Sequence, residues 1–154
     1  MTMRLVGIGE TAELARVHAQ CFAEVWNAEA MAALLATPGT FAMVAEGGFI
    51  MVRAVADESE VLTLAVIPAA RRRGIATALV SRAAERAAEV GAGVMFLEVN
   101  AANLPAISLY KRLGFTTVGH RKAYYAGTHG MREDALVLRT AIPLSRVGIC
   151  LQFG

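Results

Sequence analysis

Apolar residues recur along the chain with two periods, and these periods predict the order of its elements. Between Gly74 and Val90 they recur every three to four positions, as on one face of a helix. A further helix is predicted to begin after Asn103, a suitable N-cap, with Pro105 in its first turn and Gly114 at its end. Strands are predicted from alternating or β-branched runs in the ranges 3–8, 41–45, 49–54, 60–67, 94–99, 115–118 and 135–140.

The order of these elements predicts the class of fold. Two helices near the N-terminus follow the first strand, and the complete order is β-α-α-β-β-β-α-β-α-β-β. Strands that precede and separate helices in this way are typical of an α/β domain, here with a mixed sheet and helices on both faces. We expect a single domain over residues 1–154, a length that suffices for a buried core.

The high apolar content requires a test for a membrane span. The longest uncharged stretch, residues 30–45, is broken by Thr37-Pro38-Gly39 and is shorter than the roughly 18 to 20 apolar residues of a spanning helix. It predicts a buried helix, a turn and a strand instead. The first residues also lack the basic-then-apolar pattern of a signal peptide. We therefore expect a cytoplasmic protein with no membrane partner.

Positive charge is concentrated in one segment of the chain. The net charge of +2 is too small to indicate a nucleic-acid partner. Between Val61 and Ala84, however, four arginines occur without a carboxylate, and three of them are consecutive, from Arg71 to Arg73. The two cysteines and three histidines are scattered without metal-ligand spacing, so we expect neither a disulfide scaffold nor a metal.

The basic turn lies between a predicted strand and the helix that begins near Gly74. The first amides of a helix have no partner within it and carry partial positive charge, and arginines add charge and bidentate contacts to phosphate oxygens. The segment therefore indicates a phosphate or pyrophosphate site. On this segment alone, a solvated basic turn before an ordinary helix is an equal alternative.

Two motifs in this region resemble those of the GNAT acetyltransferases. The run from Arg71 to Ala76 matches the acetyl-CoA signature (Gln/Arg)-x-x-Gly-x-(Gly/Ala), and Asn103, Tyr110 and Gly114-Phe115 match N-x-x-A-x-x-x-Y-x-x-x-G-F. The resemblance covers roughly residues 40–140 and implies a mostly antiparallel sheet of about seven strands with acetyl-CoA as co-substrate. The cofactor-binding residues that it implies are Leu64, Ala65, Val66, Arg71, Arg72, Arg73, Gly74, Ile75, Ala76, Asn103 and Tyr110.

Two residues are candidates for the proton transfers of amine acetylation, Glu98 as base and Tyr110 as acid. Glu98 is the only charge in the apolar strand 94–99, and an outward-facing edge carboxylate is the alternative. Tyr110 follows Asn103 by seven residues, so both lie on nearly the same helix face. A phenol can protonate a departing thiolate, and a core tyrosine is the alternative.

Further segments resemble the ribosomal-protein-alanine N-acetyltransferases (RimI type) within this family. Residues 97–99, 121–125 and 132–135 match that group's segments, and Trp26 falls near its aromatic-Trp segment. The resemblance implies the N-terminus of a protein, possibly ribosomal, as acceptor, with Trp26, Tyr124 and Tyr125 at the peptide site. Asn100 departs from the group's pattern, which has Arg there.

Two other functions stay open. One is a GNAT enzyme for a small-molecule amine or a lysine, which usually needs several acidic residues to hold a cationic substrate. Acidic residues cluster here only at 57–60 and 133–134. The other is a non-catalytic acyl-CoA-binding domain, which the presence of both Glu98 and Tyr110 disfavours. Nucleic-acid binding through residues 71–73 is disfavoured because no aromatic residues are interleaved with the arginines.

Overall fold

One mixed seven-stranded sheet organises the protein, in the order β1-β2-β3-β4-β5-β7-β6. The computed structural model describes residues 2–24, 26–126 and 132–144, without the side chains of 123–126 and 132. Only β4 and β5 pair in parallel; all other neighbouring strands are antiparallel. The strands are β1 (Arg4–Leu5), β2 (Thr40–Ala45), β3 (Gly48–Val55), β4 (Glu58–Val66), β5 (Val94–Asn100), β6 (Thr116–Ala126) and β7 (Arg132–Ala141).

Four α-helices cover both faces of the sheet, as predicted: α1 (Thr11–Cys21), α2 (Ala28–Ala36), α3 (Ile75–Glu89) and α4 (Leu104–Arg112). Alternation along β3 separates the two layers of the core. Phe49 and Met51 pack with α1 and α2, whereas Ile50 and Val52 pack with α3 and α4. No helix in the described residues is long and apolar enough to cross a membrane.

The predicted ends of α3 and α4 are confirmed and have clear local causes. Gly74 precedes α3 in a left-handed conformation, and Gly91, with φ of 108°, follows its end. Asn103 caps α4 by accepting a hydrogen bond from the Ala106 N–H at 3.2 Å. Pro105 lies in the first turn, where its missing N–H has no helical partner to lose.

Some predicted boundaries differ from the structure. The first strand is only Arg4–Leu5, because the Glu10 carboxylate accepts from the Gly7 N–H and closes a short 3₁₀ turn at Ile8–Glu10. β6 is longer than the predicted range 115–118, because His120, Arg121 and Lys122 are exposed and polar and so lack an apolar alternation. The helix in the uncharged stretch is not buried: within α2, Met31 alone is fully covered.

Candidate active site

The candidate active site is the cleft that opens where β4 and β5 separate. The two strands pair only over Glu58–Glu60 and Val94–Phe96, although both continue beyond these residues. The cleft has a volume of about 2370 Å³. It is bounded by the ends of β4 and β5, the N-terminus of α3, one side of α4 and the C-terminal end of α1.

The end of β4 turns backbone groups toward this cleft. The Ile67 N–H donates to the β2–β3 turn at 2.8 Å, on the β3 side of the strand. Because backbone groups alternate along a strand, Val66 and Leu64 direct theirs to the opposite edge. The Val66 carbonyl accepts there from Arg71 Nε at 3.0 Å and from Cys21 Sγ at 3.4 Å. An extended ligand with amide groups could pair along this edge like an added strand.

The turn between β4 and α3 has the backbone of an anion site. Arg72 and Gly74 both adopt left-handed conformations, with φ of 65° and 75°. No side chain caps the N-terminus of α3, which begins at Ile75. Left-handed turns of this kind curve successive N–H groups around one point, and the helix dipole adds partial positive charge there. A phosphate or pyrophosphate group therefore suits this turn.

The β2–β3 turn packs against the basic turn from the other side. An added Cβ at Gly47, whose φ is 79°, would lie 2.6 Å from the Ala70 Cβ, so only glycine allows this close approach. The Arg73 side chain lies on this side as well, where it lines a separate pocket of about 390 Å³ with Glu46. Arg71 and Arg72, the other two of the three consecutive arginines, line the cleft itself.

Glu98 lies on the face of β5 that points away from α3 and α4. Its neighbours Leu97 and Val99 are buried in the core, whereas the Glu98 side chain is 28% exposed and lines the cleft. Arg121 Nη1, on β6, lies 3.1 Å from Glu98 Oε1. The guanidinium reaches across the intervening strand β7, where the residue opposite Arg121 is the small Ala135. The carboxylate predicted as the base is therefore half of an ion pair.

Asn100 and Glu133 extend this polar face. Asn100 lies two residues after Glu98 on the same face of β5, and its Nδ2 donates to Glu133 Oε2 on β7. Asn100 Oδ1 accepts from the Ala102 N–H at 2.8 Å, which fixes the passage toward α4. Two carboxylates and the guanidinium of Arg121 thus share one region of the cleft.

Helix α4 brings Tyr110 to the cleft from the opposite layer. The Tyr110 side chain is buried in the core with α3, and its ring meets Phe115 edge-on at a centroid distance of 5.8 Å. Tyr110 and Asn103 both line the cleft. The cleft therefore holds a carboxylate from one layer and a phenol from the other, which are a proton acceptor and a proton donor of the kinds used in general acid–base catalysis.

Three aromatic side chains form the wall at the end of α1. The buried His18 ring stacks on Trp26 at 4.8 Å and contacts Phe22 at 4.5 Å, centroid to centroid. Burial lowers the pKa of His18, and the nearby Glu24 opposes this effect. His18 Nδ1 is buried and has no hydrogen-bond partner among the described residues. All four residues line the cleft. Because burial disfavours the charged imidazole, His18 presents an uncharged ring to the cleft near neutral pH.

The structure brings most of the residues predicted from the sequence together. Those that line the cleft are Trp26, Leu64, Ala65, Val66, Arg71, Arg72, Gly74, Ile75, Ala76, Glu98, Asn103 and Tyr110. The side chains of Tyr124 and Tyr125 lie outside what the structure describes. No group of three or more His, Cys, Asp or Glu residues suited to a metal occurs in the described ranges.

Sequence reasoning missed Arg121, Glu133 and His18 as members of the cleft. For Arg121 and Glu133 the missing information is strand register, because β6 pairs with β7 through two irregularities that no count along the chain gives. A signal for His18 was present, since it precedes Cys21, which also lines the cleft, by three residues on α1 and so shares its face.

Comparisons with known proteins find acetyltransferases among the relatives of this chain. A [ribosomal protein bS18]-alanine N-acetyltransferase from Escherichia coli (strain K12) is 37% identical over 97 residues, 63% of this chain and 64% of that protein. The match thus spans less than two thirds of that relative's length. A streptothricin acetyltransferase from Streptomyces lavendulae is 42% identical over 78 residues, 51% of this chain and 41% of that protein.

The fold comparison covers nearly the whole chain. The crystal structure of the ribosomal-protein-S18-alanine N-acetyltransferase from Escherichia coli matches with a TM-score of 0.83 and 27% identity, covering 94% of this chain and 95% of that one. The sequence also matches the Acetyltransferase (GNAT) family over residues 11–115, more than half of the chain. This protein therefore belongs to the GNAT acetyltransferase family.

Proposed function

We propose that this protein is an acetyl-CoA-dependent N-acetyltransferase that acts on the α-amine of a protein N-terminus. The observation that carries the proposal is that Glu98 and Tyr110 line one cleft, beside a turn suited to binding an anion. Family membership supports acetyl-CoA as co-substrate. The basic turn suits its pyrophosphate, and the open edge of β4 suits the amides of its pantetheine arm.

The reaction proposed is direct transfer. The amine nitrogen forms a bond to the acetyl carbonyl carbon, and the carbon–sulfur bond breaks. An acceptor that arrives as an ammonium loses two protons in total. One leaves to solvent through Glu98, which accepts it directly or through water, and the other replaces the proton that the Tyr110 hydroxyl gives to the departing sulfur. The products are the acetylated amine and free CoA thiol.

The acceptor proposed is the N-terminal alanine of a ribosomal protein. The names of the bS18-alanine N-acetyltransferases to which this chain is similar support that choice. Chemistry supports an α-amine more generally, because its pKa is about 8, against about 10.4 for a lysine side chain. One carboxylate is enough to remove a proton of that acidity near neutral pH.

A small-molecule amine is the second candidate acceptor. The similarity to a streptothricin acetyltransferase favours it, since that protein is 42% identical over 78 residues and its name gives streptothricin as the acceptor. A third possibility, an acyl-CoA-binding domain without catalysis, would bind the co-substrate and release no thiol. Thiol release from acetyl-CoA, measured with different acceptors, therefore distinguishes the three candidate functions.

The test is thiol release from acetyl-CoA with a panel of acceptors. The panel contains short peptides that begin with Ala, Ser, Met or Gly, an N-blocked lysine peptide, spermidine and streptothricin. We expect release with the Ala-started peptide, and product mass spectrometry should place the acetyl group on the α-nitrogen. Release only with streptothricin, spermidine or the lysine peptide would replace the proposed acceptor.

The roles of Glu98 and Tyr110 are tested in the same assay. Glu98→Gln and Tyr110→Phe should each lower kcat by roughly 10²- to 10⁴-fold while acetyl-CoA affinity stays within about two-fold. The matched control is Glu89→Gln, which removes a carboxylate from the exposed far end of α3, where it pairs with Arg86. Wild-type kcat in Glu98→Gln or Tyr110→Phe would remove that residue from the mechanism.

A further inference from the structure

We infer that the Thr63 hydroxyl orients the acceptor amine for its attack on the acetyl group. The inference rests on the proposed function and adds a residue to the side of the cleft where the acceptor meets Glu98. Its basis is the position of Thr63 on β4, where the sheet opens, and a hydroxyl group without a partner at that place.

Thr63 is a nearly buried polar residue that lines the cleft, with an exposed fraction of 8%. Its hydroxyl makes no hydrogen bond within the described ranges 2–24, 26–126 and 132–144. Burial of a hydroxyl costs free energy unless a hydrogen bond compensates it. A ligand in the cleft can supply the missing partner, which gives the threonine a reason to be there.

The strand register places Thr63 beside the opening of the sheet. The last residue of β4 that pairs with β5 is Glu60. Just after it, the register between β3 and β4 shifts by one residue, so that Leu62 has no opposite residue on β3. A bulge of this kind bends its strand and re-aims the side chains next to it. Thr63 is the first residue after this bulge and so lies at the edge of the opening.

Thr63 and Glu98 lie on the same face of the sheet. The residue after Thr63, Leu64, packs with the core layer of α3 and α4, and the next, Ala65, packs with α1 and α2. Met51, directly opposite Thr63 on β3, is also buried with α1 and α2. Because successive side chains alternate and opposite ones share a face, Thr63 points away from α3 and α4, as Glu98 does. The hydroxyl and the carboxylate therefore flank the opening from its two sides.

The chemistry of attack gives this arrangement a use. A neutral primary amine has two N–H groups and one lone pair, and the lone pair must point at the acetyl carbonyl carbon. The N–H groups must then point elsewhere. Glu98 can accept one of them, and the Thr63 oxygen can accept the other. Thr63 gains and loses no proton, so the bonds and protons of the direct transfer balance as before, and the hydroxyl contributes orientation alone.

The experiment replaces Thr63 by valine, which has a closely similar shape and no hydroxyl, in the full-length protein. With the acceptor that the wild type acetylates fastest, kcat/KM should fall about five- to ten-fold, because an orienting hydrogen bond is lost. The KM for acetyl-CoA should stay within about two-fold. The melting temperature should be unchanged or slightly higher, since valine removes a buried hydroxyl without a partner. Lower activity without lower stability is a result that a merely structural threonine does not give.

Two further variants isolate the hydroxyl. Thr63→Ser keeps it and should keep kcat/KM for the acceptor within about three-fold of wild type. Thr40→Val makes the same chemical change on β2, at a hydroxyl that is also buried without a partner among the described residues but is not part of the cleft. Thr40→Val should therefore have wild-type kinetics with both substrates.

The outcomes distinguish this inference from the proposed function. Absence of thiol release by the wild type with every acceptor would contradict the proposed function, and the inference with it. Acetylation of a lysine or a small-molecule amine alone would replace the proposed acceptor, and the same variants would test Thr63 with that amine. Wild-type kcat/KM in Thr63→Val, or a loss that Thr63→Ser does not restore, would overturn the inference alone. So would a change confined to the KM for acetyl-CoA, because the hydroxyl would then serve the co-substrate.

Discussion

The two halves of the cleft differ in the groups that they present to a ligand. The half formed by β4 and the turn before α3 presents backbone groups: the edge of Val66 and Leu64, and amides curved by left-handed residues at Arg72 and Gly74. The half formed by β5, β7 and β6 presents side chains drawn from three strands, with Glu98 and Arg121 as its central pair. Under the proposed function, the first half binds acetyl-CoA and the second binds the acceptor.

This difference implies different sensitivities to mutation. Backbone groups do not change with most side-chain replacements, so the cofactor half should respond mainly where a special conformation is required. The acceptor half depends on the identity, charge and hydrogen bonds of each side chain. Substitutions at Gly74 and Asn100 test this contrast. A third substitution, at His18 in the wall at the end of α1, tests a buried side chain outside both halves, and the expected effects decrease in that order.

Gly74 should be the most sensitive position of the basic turn. Its φ of 75° is unfavourable for a β-branched residue, although an added Cβ would meet no atom within 4 Å. Because a left-handed conformation costs an L-residue about 1–2 kcal/mol, Gly74→Val should weaken acetyl-CoA binding by roughly 10-fold or more. Isothermal titration calorimetry measures the affinity.

Gly74→Asn is the matched control, since asparagine tolerates the left-handed region. We expect it to bind acetyl-CoA within about three-fold of wild type. Equal losses of acetyl-CoA affinity in Gly74→Val and Gly74→Asn would show that the left-handed conformation of Gly74 is not what supports binding. The cofactor half would then depend on side-chain identity, as the acceptor half does.

Asn100 should matter to the acceptor and not to acetyl-CoA. Asn100→Ala removes the hydrogen bond to Glu133 and the acceptor for the Ala102 N–H. We expect kcat/KM for the peptide to fall about three- to ten-fold, since a typical intramolecular hydrogen bond contributes a net of roughly 0.5–1.5 kcal/mol. Steady-state kinetics with each substrate varied in turn gives both constants.

Asn100→Asp separates the two bonds of this residue. It keeps an oxygen for the Ala102 N–H but cannot donate to Glu133, and it places two carboxylates side by side. It should therefore impair the peptide reaction at least as much as Asn100→Ala. Recovery of wild-type kinetics would assign Asn100 to the loop alone. A large loss of acetyl-CoA affinity would instead show that the halves are not independent.

His18 should make stability depend on pH, with the smallest effect of the three. Burial lowers its pKa in the folded state, so the unfolded chain, in which histidine titrates near 6.5, binds the proton more readily. The resulting stabilisation is complete above about pH 6.5 and is lost as pH falls through that value toward the folded-state pKa. Wild-type melting temperature should drop by a few degrees between about pH 7.5 and pH 5.5.

His18→Phe keeps an aromatic ring between the neighbours of His18 and removes the titrating group. Its melting temperature should lose less over the same pH interval. Equal pH dependence in wild type and His18→Phe would show that His18 does not titrate differently in the two states.

Local features could be predicted from the sequence with good accuracy. The basic turn and its glycine, the Asn103 cap, and the helical stripe of α3 depend on residues that are close together in the chain. Leu104 shows the limit of this reasoning. Its spacing predicts a place in the core with Ile107 and Leu113, which are buried, yet Leu104, the first residue of α4, is 68% exposed.

The sequence by itself predicted the element order and the conformation of the basic turn before α3, because backbone conformation and helix capping are set by near neighbours. It also singled out Glu98 and Tyr110 as candidates for proton transfer. Only the tertiary structure decided that β4 and β5 separate after three paired residues. It also decided that Arg121, two strands away in the sheet, reaches Glu98. Strand register and the irregularities between β6 and β7 depend on the packing of the whole sheet, which no local pattern encodes.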